Sequence, residues 1–227
     1  MTMKTSRIAI VLLLTISTMG LYAQITEKAS TSFGVVAGIN FQNLTGENSQ
    51  GEGLENDMII GFHGGVNMQI PIVPEFFFQP GILFSTKGAK HTSDFGTSTY
   101  NLSYVEVPLN LLYKGFLGNG YVLLGLGPYL GYGIGGKATH ESDVGTLESD
   151  IEFKNVVEMD DPLTVTYIKA IDAGGNIFAG YEMANGISVT LNAQLGMIKI
   201  NPEDKRITDD KTSLKNTGFG LSLGYRF

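Results

Sequence analysis

The chain has 227 residues, 22 acids against 15 bases, 30 Gly, no Cys and no Trp, and only 16% of it is charged. That length suits one domain, and the missing cysteine excludes a disulfide framework, a thiolate metal site and a cysteine nucleophile. The acidic balance excludes an electrostatic nucleic-acid binder, the low polarity excludes disorder, and no GxxxxGK[ST] run is present for nucleotide phosphates.

The N-terminus reads as a secretory signal. Lys4 and Arg7 form a positive region, Ile8 to Met19 is apolar, and Leu21-Tyr22-Ala23 supplies a cleavage site before Gln24. Residues 1–23 are therefore expected to be removed and 24–32 to form a flexible terminus. The processed chain would carry 13 bases against 22 acids. No later stretch offers the roughly 18 consecutive apolar residues of a membrane helix.

From Phe33 onward the chain alternates in character with period two, the signature of strands that present different faces to different surroundings. The first strand spans Phe33 to Leu44, with Phe33, Val35, Ala37, Ile39 and Phe41 opposing Gly34, Gly38, Asn40 and Gln42. A second, Met58 to Ile70, sets Ile60, Phe62, Val66 and Met68 against Gly61, His63, Gly65 and Asn67. The third, Phe76 to Lys87, opposes Phe78, Ile82 and Phe84 to Gln79, Gly81, Leu83, Ser85 and Lys87; Pro80 within it points to an edge or a bulge. The fourth, Thr99 to Tyr113, alternates Val105, Val107, Leu109 and Leu111 with Glu106, Pro108 and Asn110, and its register is ambiguous around Tyr100 to Tyr104. The fifth, Tyr121 to Ile134, sets Leu124, Leu126 and Leu130 against Gly125, Gly127, Tyr129 and Gly131. The sixth, Ile168 to Met183, sets Ile171, Ile177 and Tyr181 against Asp172, Asn176, Phe178 and Glu182. Asn185-Gly186 then suits a hairpin turn. The seventh, Ile187 to Ile198, and the eighth, which ends at Phe227, alternate most cleanly. In the eighth, Phe219, Leu221, Leu223, Tyr225 and Phe227 oppose Gly218, Gly220, Ser222, Gly224 and Arg226.

The less bulky face decides between a soluble and a membrane barrel. A soluble barrel needs an apolar inside and a charged outside, whereas here the second face carries Gly, Asn, Gln, Ser and Thr with isolated charges. Bulky residues toward lipid and small polar ones toward a lumen satisfy both faces, and closure satisfies the backbone. The predicted fold is all-β, an eight-stranded antiparallel up-and-down transmembrane barrel over 33–227. Short connections at 71–75, 114–120 and 184–186 alternate with long ones at 45–57, 88–98, 135–167 and 199–216, as periplasmic turns alternate with extracellular loops. Aromatics near the strand ends, among them Phe33, Phe41, Phe76, Tyr113, Tyr121 and Tyr181, fit two interfacial girdles.

Phe78-Gln79-Pro80-Gly81, Val105-Glu106-Val107-Pro108-Leu109, Gly127-Pro128-Tyr129-Leu130-Gly131 and Gly180-Tyr181-Glu182 resemble the outer-membrane β-barrel domain family of small eight-stranded proteins, also labelled porin-family or PorT-like. The likeness covers roughly Phe33 to Phe227. It implies location in the outer membrane of a Gram-negative cell envelope and brings no catalytic motif. The terminal Tyr225-Arg226-Phe227 resembles the signal read by the barrel insertion machinery, with Tyr225 and Phe227 as its aromatic members.

His63, Glu106, Asp172, Glu182 and Arg226 fall on the lumen face. An eight-strand barrel has just enough interior for side chains to fill, so these five read as a polar network in a plugged lumen, with Arg226 expected to pair with Glu106 or Asp172. A conducting or proton-linked lining is the competing reading. The acidic residues between Glu141 and Asp161 lack the spacing of a calcium loop and read as a solvated surface. His91 or His140 beside Ser93 or Ser142 imitates a lipid-modifying pair, but the sequence displays no nucleophile, base and orienter together. The expectation is an integral outer-membrane protein of structural or surface-interaction type, with no catalysis, cofactor or metal. Its partners would be outer-membrane lipids, the insertion machinery and an extracellular or envelope protein met through the acidic loops. A narrow passive channel and a lipid-modifying enzyme are the alternatives.

Overall fold

The computed structural model describes residues 30–94 and 96–227; the expected leader at 1–23 lies outside them. Among the described residues twelve strands occur in chain order: β1 Ser32–Glu47, β2 Ile59–Val73, β3 Phe76–Ser93, β4 Gly96–Leu117, β5 Gly120–Ser142, β6 Gly145–Phe153, β7 Val156–Val157, β8 Thr166–Ile168, β9 Ile171–Met183, β10 Ile187–Gly196, β11 Glu203–Asp204 and β12 Ser213–Arg226. Eight of them close a ring of antiparallel pairs in the order β1, β2, β3, β4, β5, β9, β10, β12. The β1–β12 pair seals it from Gly34↔Arg226 to Glu47↔Ser213. Closure leaves no strand edge inside the ring, which is what a sheet in hydrocarbon requires.

The faces follow the period-two pattern. Leu221 and Leu223 are 41% and 62% exposed, while Ser222 between them is 4% exposed. On β5, Leu124, Leu126, Leu130, Tyr132 and Ile134 all point outward. Ten residues at about 3.4 Å per residue and a tilt near 40° give a band about 26 Å tall, close to the roughly 25 Å apolar belt of such barrels. Aromatic pairs mark its limits: Phe76–Tyr113, Phe116–Tyr121 and Tyr225–Phe227 at the turn end, Phe41–Phe219 and Phe62–Phe84 at the loop end.

The β9–β10 hairpin turns at Ala184–Gly186, where Gly186 has φ 85° and its N–H donates to the Met183 carbonyl. A residue with a Cβ would be strained there. Pro80 marks neither an edge nor a bulge. The β2–β3 register is the same on both sides of it, Asn67↔Gly81 and Ile70↔Phe78, because the ring supports β3 from both flanks across the missing donor.

The strands run beyond the lengths read from the sequence. β3 and β4 pair as far as Ser93↔Gly96, and β5 turns into β6 at Ser142↔Gly145, so much of 88–98 and 135–167 is sheet. A bulge explains the ambiguity around Tyr100 to Tyr104. Ser103 pairs with Gly135 and Tyr104 with Gly133, leaving Ile134 as an extra residue on β5. Below it the odd residues of β5 face inward; above it Gly136 and Ala138 do. The phase reverses, so the alternation breaks in the sequence while the strand continues. Above the band the inside is apolar: Leu44, Ala89, Leu102, Tyr104, Ile151, Ile168 and Ile200 form one buried cluster. β6 pairs with β8 in parallel, and β7 pairs with β11, which ties the third long connection to the fourth.

Candidate functional site

The interior is stratified along the barrel axis. Uppermost is the apolar cluster, with Tyr104 and Ile200 fully buried. Beneath it stands Lys87, 1% exposed, brought inward by the Gln79–Ser85 face of β3. Its Nζ lies 2.6 Å from Glu106 Oε1 on β4 and 2.9 Å from Asp172 Oδ2 on β9. The same ammonium sits 4.3 Å from the centroid of the Tyr129 ring and 5.5 Å from that of Tyr104. One cation between two anions leaves a net negative charge, and neutral donors share it. Tyr129 Oη and Asn216 Nδ2 donate to Asp172 Oδ2 at 3.2 and 2.9 Å, and Gln194 Nε2 donates to Glu106 Oε2 at 2.9 Å. Buried charges persist only when paired and hydrogen-bonded in this way.

At mid-height His63 is held on both ring nitrogens. Nδ1 is 2.6 Å from Asn40 Oδ1 and Nε2 is 2.7 Å from Ser222 Oγ. Asn40 Nδ2 donates to Ser85 Oγ at 3.2 Å, so its carbonyl oxygen faces the ring and Nδ1 carries the proton. Ser222 therefore donates to an unprotonated Nε2. Gly38 makes room for the imidazole, since a Cβ there would stand 2.6 Å from His63 Cε1. Nearest the turn end, Lys114 Nζ pairs with Glu182 Oε1 at 2.6 Å, and Arg226 Nη2 donates to Asn67 Oδ1 at 2.6 Å. A cavity of about 120 Å³ lies among these groups, bordered by Asn40, His63, Asn110, Asn192, Ser222 and Arg226, among others.

The five lumen residues named from the sequence thus occupy four separate arrangements. Glu106 and Asp172 meet through Lys87, whereas His63, Glu182 and Arg226 each have their own partners. Arg226 does not pair with Glu106 or Asp172: Asp172 is at the height of Asn216, ten residues further up β12, about 34 Å of strand away. Lys87 was the missed member. Its position on the polar face of the third strand was the available signal, but it fell at the predicted strand end. Tyr225 and Phe227 lie outward at the turn end, their ring centroids 5.0 Å apart.

Outside the band the charges pair locally. Asp161 accepts from Lys154, whose hydrogen bond holds the carboxyl below its ordinary value, and Asp204 is lowered likewise by Arg206. Glu158 pairs with Lys205 at 2.8 Å, which raises the lysine. His140 Nδ1 meets Ser98 Oγ at 3.0 Å, and His91 Nδ1 meets Asn56 Oδ1 at 3.1 Å. The serine that His140 meets is therefore Ser98, while Ser142 Oγ donates to the Gly145 carbonyl.

A closed eight-strand ring with an apolar belt and a polar interior defines a β-barrel of the outer membrane. The chain belongs to the family described as outer membrane protein beta-barrel domain, which matches residues 22–201. Among solved structures it is similar to Ail, the attachment invasion locus protein of Yersinia pestis, in complex with the heparin analogue sucrose octasulfate. The identity is 12%, 88% of this chain and 100% of that chain are covered, and the TM-score is 0.41. A second Ail structure gives the same identity and coverage with a TM-score of 0.40. OccK5 (OpdH) of Pseudomonas aeruginosa is 10% identical over 87% of this chain and 98% of that one, at a TM-score of 0.13. No curated protein matches the chain.

Proposed function

We propose that this outer-membrane barrel is a closed scaffold that presents an interaction surface outside the cell. The observation that carries the reading is a sheet that continues above the apolar belt and leaves an open edge at β6. β6 pairs with β5 from Lys137↔Asp150 to Ser142↔Gly145, and residues 145–150 have no strand on their other side among the described residues. An open edge offers backbone donors and acceptors to an added strand. The four long connections, 45–57, 88–98, 135–167 and 199–216, hold 17 acids against 8 bases, so the matching partner is an extended, basic polypeptide.

The test uses an alternating Lys–Val peptide of ten residues and the protein in lipid nanodiscs. The peptide binds the intact protein with an affinity that falls as salt rises, and deletion of 141–148 removes the binding. Equal binding by the deletion variant refutes the surface reading. Planar bilayers separate the channel alternative: the plugged lumen gives no conductance steps, and steps would favour a channel. Unchanged lipid A mass spectra with and without the protein are expected, and a modified lipid would favour the enzyme alternative.

A further inference from the structure

Asn40, His63 and Ser222 stand in the order orienter, base, nucleophile. This order is the geometry by which a serine hydroxyl is activated: the base within hydrogen-bond reach of Oγ, and its far nitrogen held by a third group that fixes the tautomer. Both links are short, 2.7 Å to Ser222 Oγ and 2.6 Å to Asn40 Oδ1. The three residues come from β1, β2 and β12, so the ring closure itself assembles them. All three border the 120 Å³ cavity. Four further side chains on that cavity leave polar atoms unpartnered: Asn110, Asn176 and Asn192 at Oδ1, and Arg226 at Nε and Nη1. Asn110 is 7% exposed. Buried carboxamides without partners call for a polar guest.

We infer that Ser222 is an activated nucleophile for small acyl donors that enter this cavity, with His63 as its general base and Asn40 as a positioning residue. In that measure of volume a water occupies about 10–15 Å³, so the guest has on the order of eight to twelve non-hydrogen atoms. A short-chain ester fits that size. Ser222 Oγ attacks the ester carbonyl carbon while its proton passes to His63 Nε2. The carbon–oxygen bond to the alkoxy group then breaks, and the departing oxygen takes the proton from Nε2 as the free alcohol. The acyl group stays on Ser222 Oγ, and His63 returns to its starting tautomer. The inference is independent of the surface reading, because it concerns the lumen and needs no outer partner.

The test is covalent labelling of the folded full-length protein in vesicles with methanesulfonyl fluoride, which has five non-hydrogen atoms. Oxygen displaces fluoride at sulfur, and hydrogen fluoride is released. Peptide mass spectrometry should find the adduct on Ser222 at least ~10²-fold faster than on Ser85 and Ser188, which border the same cavity without a histidine base. His63→Gln should lower the Ser222 rate toward those controls, and Asn40→Ala should lower it about tenfold or more while heat-modifiable gel mobility stays native. In the unaltered protein the Ser222 rate should rise with pH through a single imidazole ionisation and then level off. Labelling of Ser222 no faster than Ser188, a pH-independent rate, or no adduct at all would each overturn the inference.

Discussion

Replacing Lys87 with Met tests the plugged lumen from the inside. The substitution keeps an unbranched side chain one atom shorter and deletes the cation between Glu106 and Asp172, 2.6 and 2.9 Å away. Both carboxylates are 1% exposed or less, so no solvent replaces the ammonium. Breaking a buried pair from one side costs about 3–5 kcal/mol, and here two anions are stranded together. The unfolding equilibrium should therefore shift by roughly two to three and a half powers of ten. With a urea slope near 2 kcal/mol per M, the midpoint falls by about 2 M. The assay is urea titration in lipid vesicles read by gel mobility and circular dichroism, since the chain has no Trp to report by fluorescence. The triple variant Lys87→Met, Glu106→Gln, Asp172→Asn removes all three charges together and should return to within about 1.5 kcal/mol of the unaltered protein. A Lys87→Met midpoint within about 0.5 kcal/mol of the parent would mean that water reaches the cluster, and the plugged-lumen reasoning would fail.

Leu102→Ala removes a fully packed side chain from the apolar cap and should cost about 2–4 kcal/mol in the same titration, while an exposed control, Leu126→Ala, costs far less in protein packing. Gly125→Val should be destabilising by about 1–3 kcal/mol, because a Cβ there would lie 2.1 Å from the Phe178 ring; a second change, Phe178→Ala, should relieve the clash, and no relief would refute the contact. Asp161 and Asp204 ionise below the ordinary carboxylate value, so what their pairs contribute is complete above about pH 4 and is lost as pH falls through their folded values. Hydrogen exchange should show the segments around 154–161 and 204–206 losing protection at pH 3 before the barrel strands do. Unchanged protection there would show that the ion pairs do not hold these loops.

The membrane-facing half of the molecule was legible because lipid imposes one rule on every strand: Leu221 out, Ser222 in. The turns were legible for the same reason that Gly186 is needed, a backbone geometry few residues adopt. The sheet above the membrane was hidden. The bulge at Ile134 reverses the phase of β5, and above it the inside becomes apolar, so Gly136, Ala138 and their neighbours obey a different rule. The partners inside the lumen were hidden too. Period-two patterning gives a residue's face but not its height, and strand tilt and stagger decide height. Charge type alone paired Arg226 with Asp172; their actual separation along the barrel gave Asp172 to Lys87. The Asn40–His63–Ser222 chain joins residues 23 positions apart across the β1–β2 pair and 159 apart across the ring closure.

The central claim is that the bulky face of β12 touches lipid while the small face lines a closed interior. The chain has no cysteine of its own, so single reporters are clean. Leu221→Cys, Ser222→Cys and Leu223→Cys variants would carry a small fluorophore in vesicles doped with lipid-attached quenchers. Quenching at positions 221 and 223, with position 222 unlabelled or unquenched, is the predicted result. Quenching at 222 alone, with 221 and 223 shielded, would contradict it.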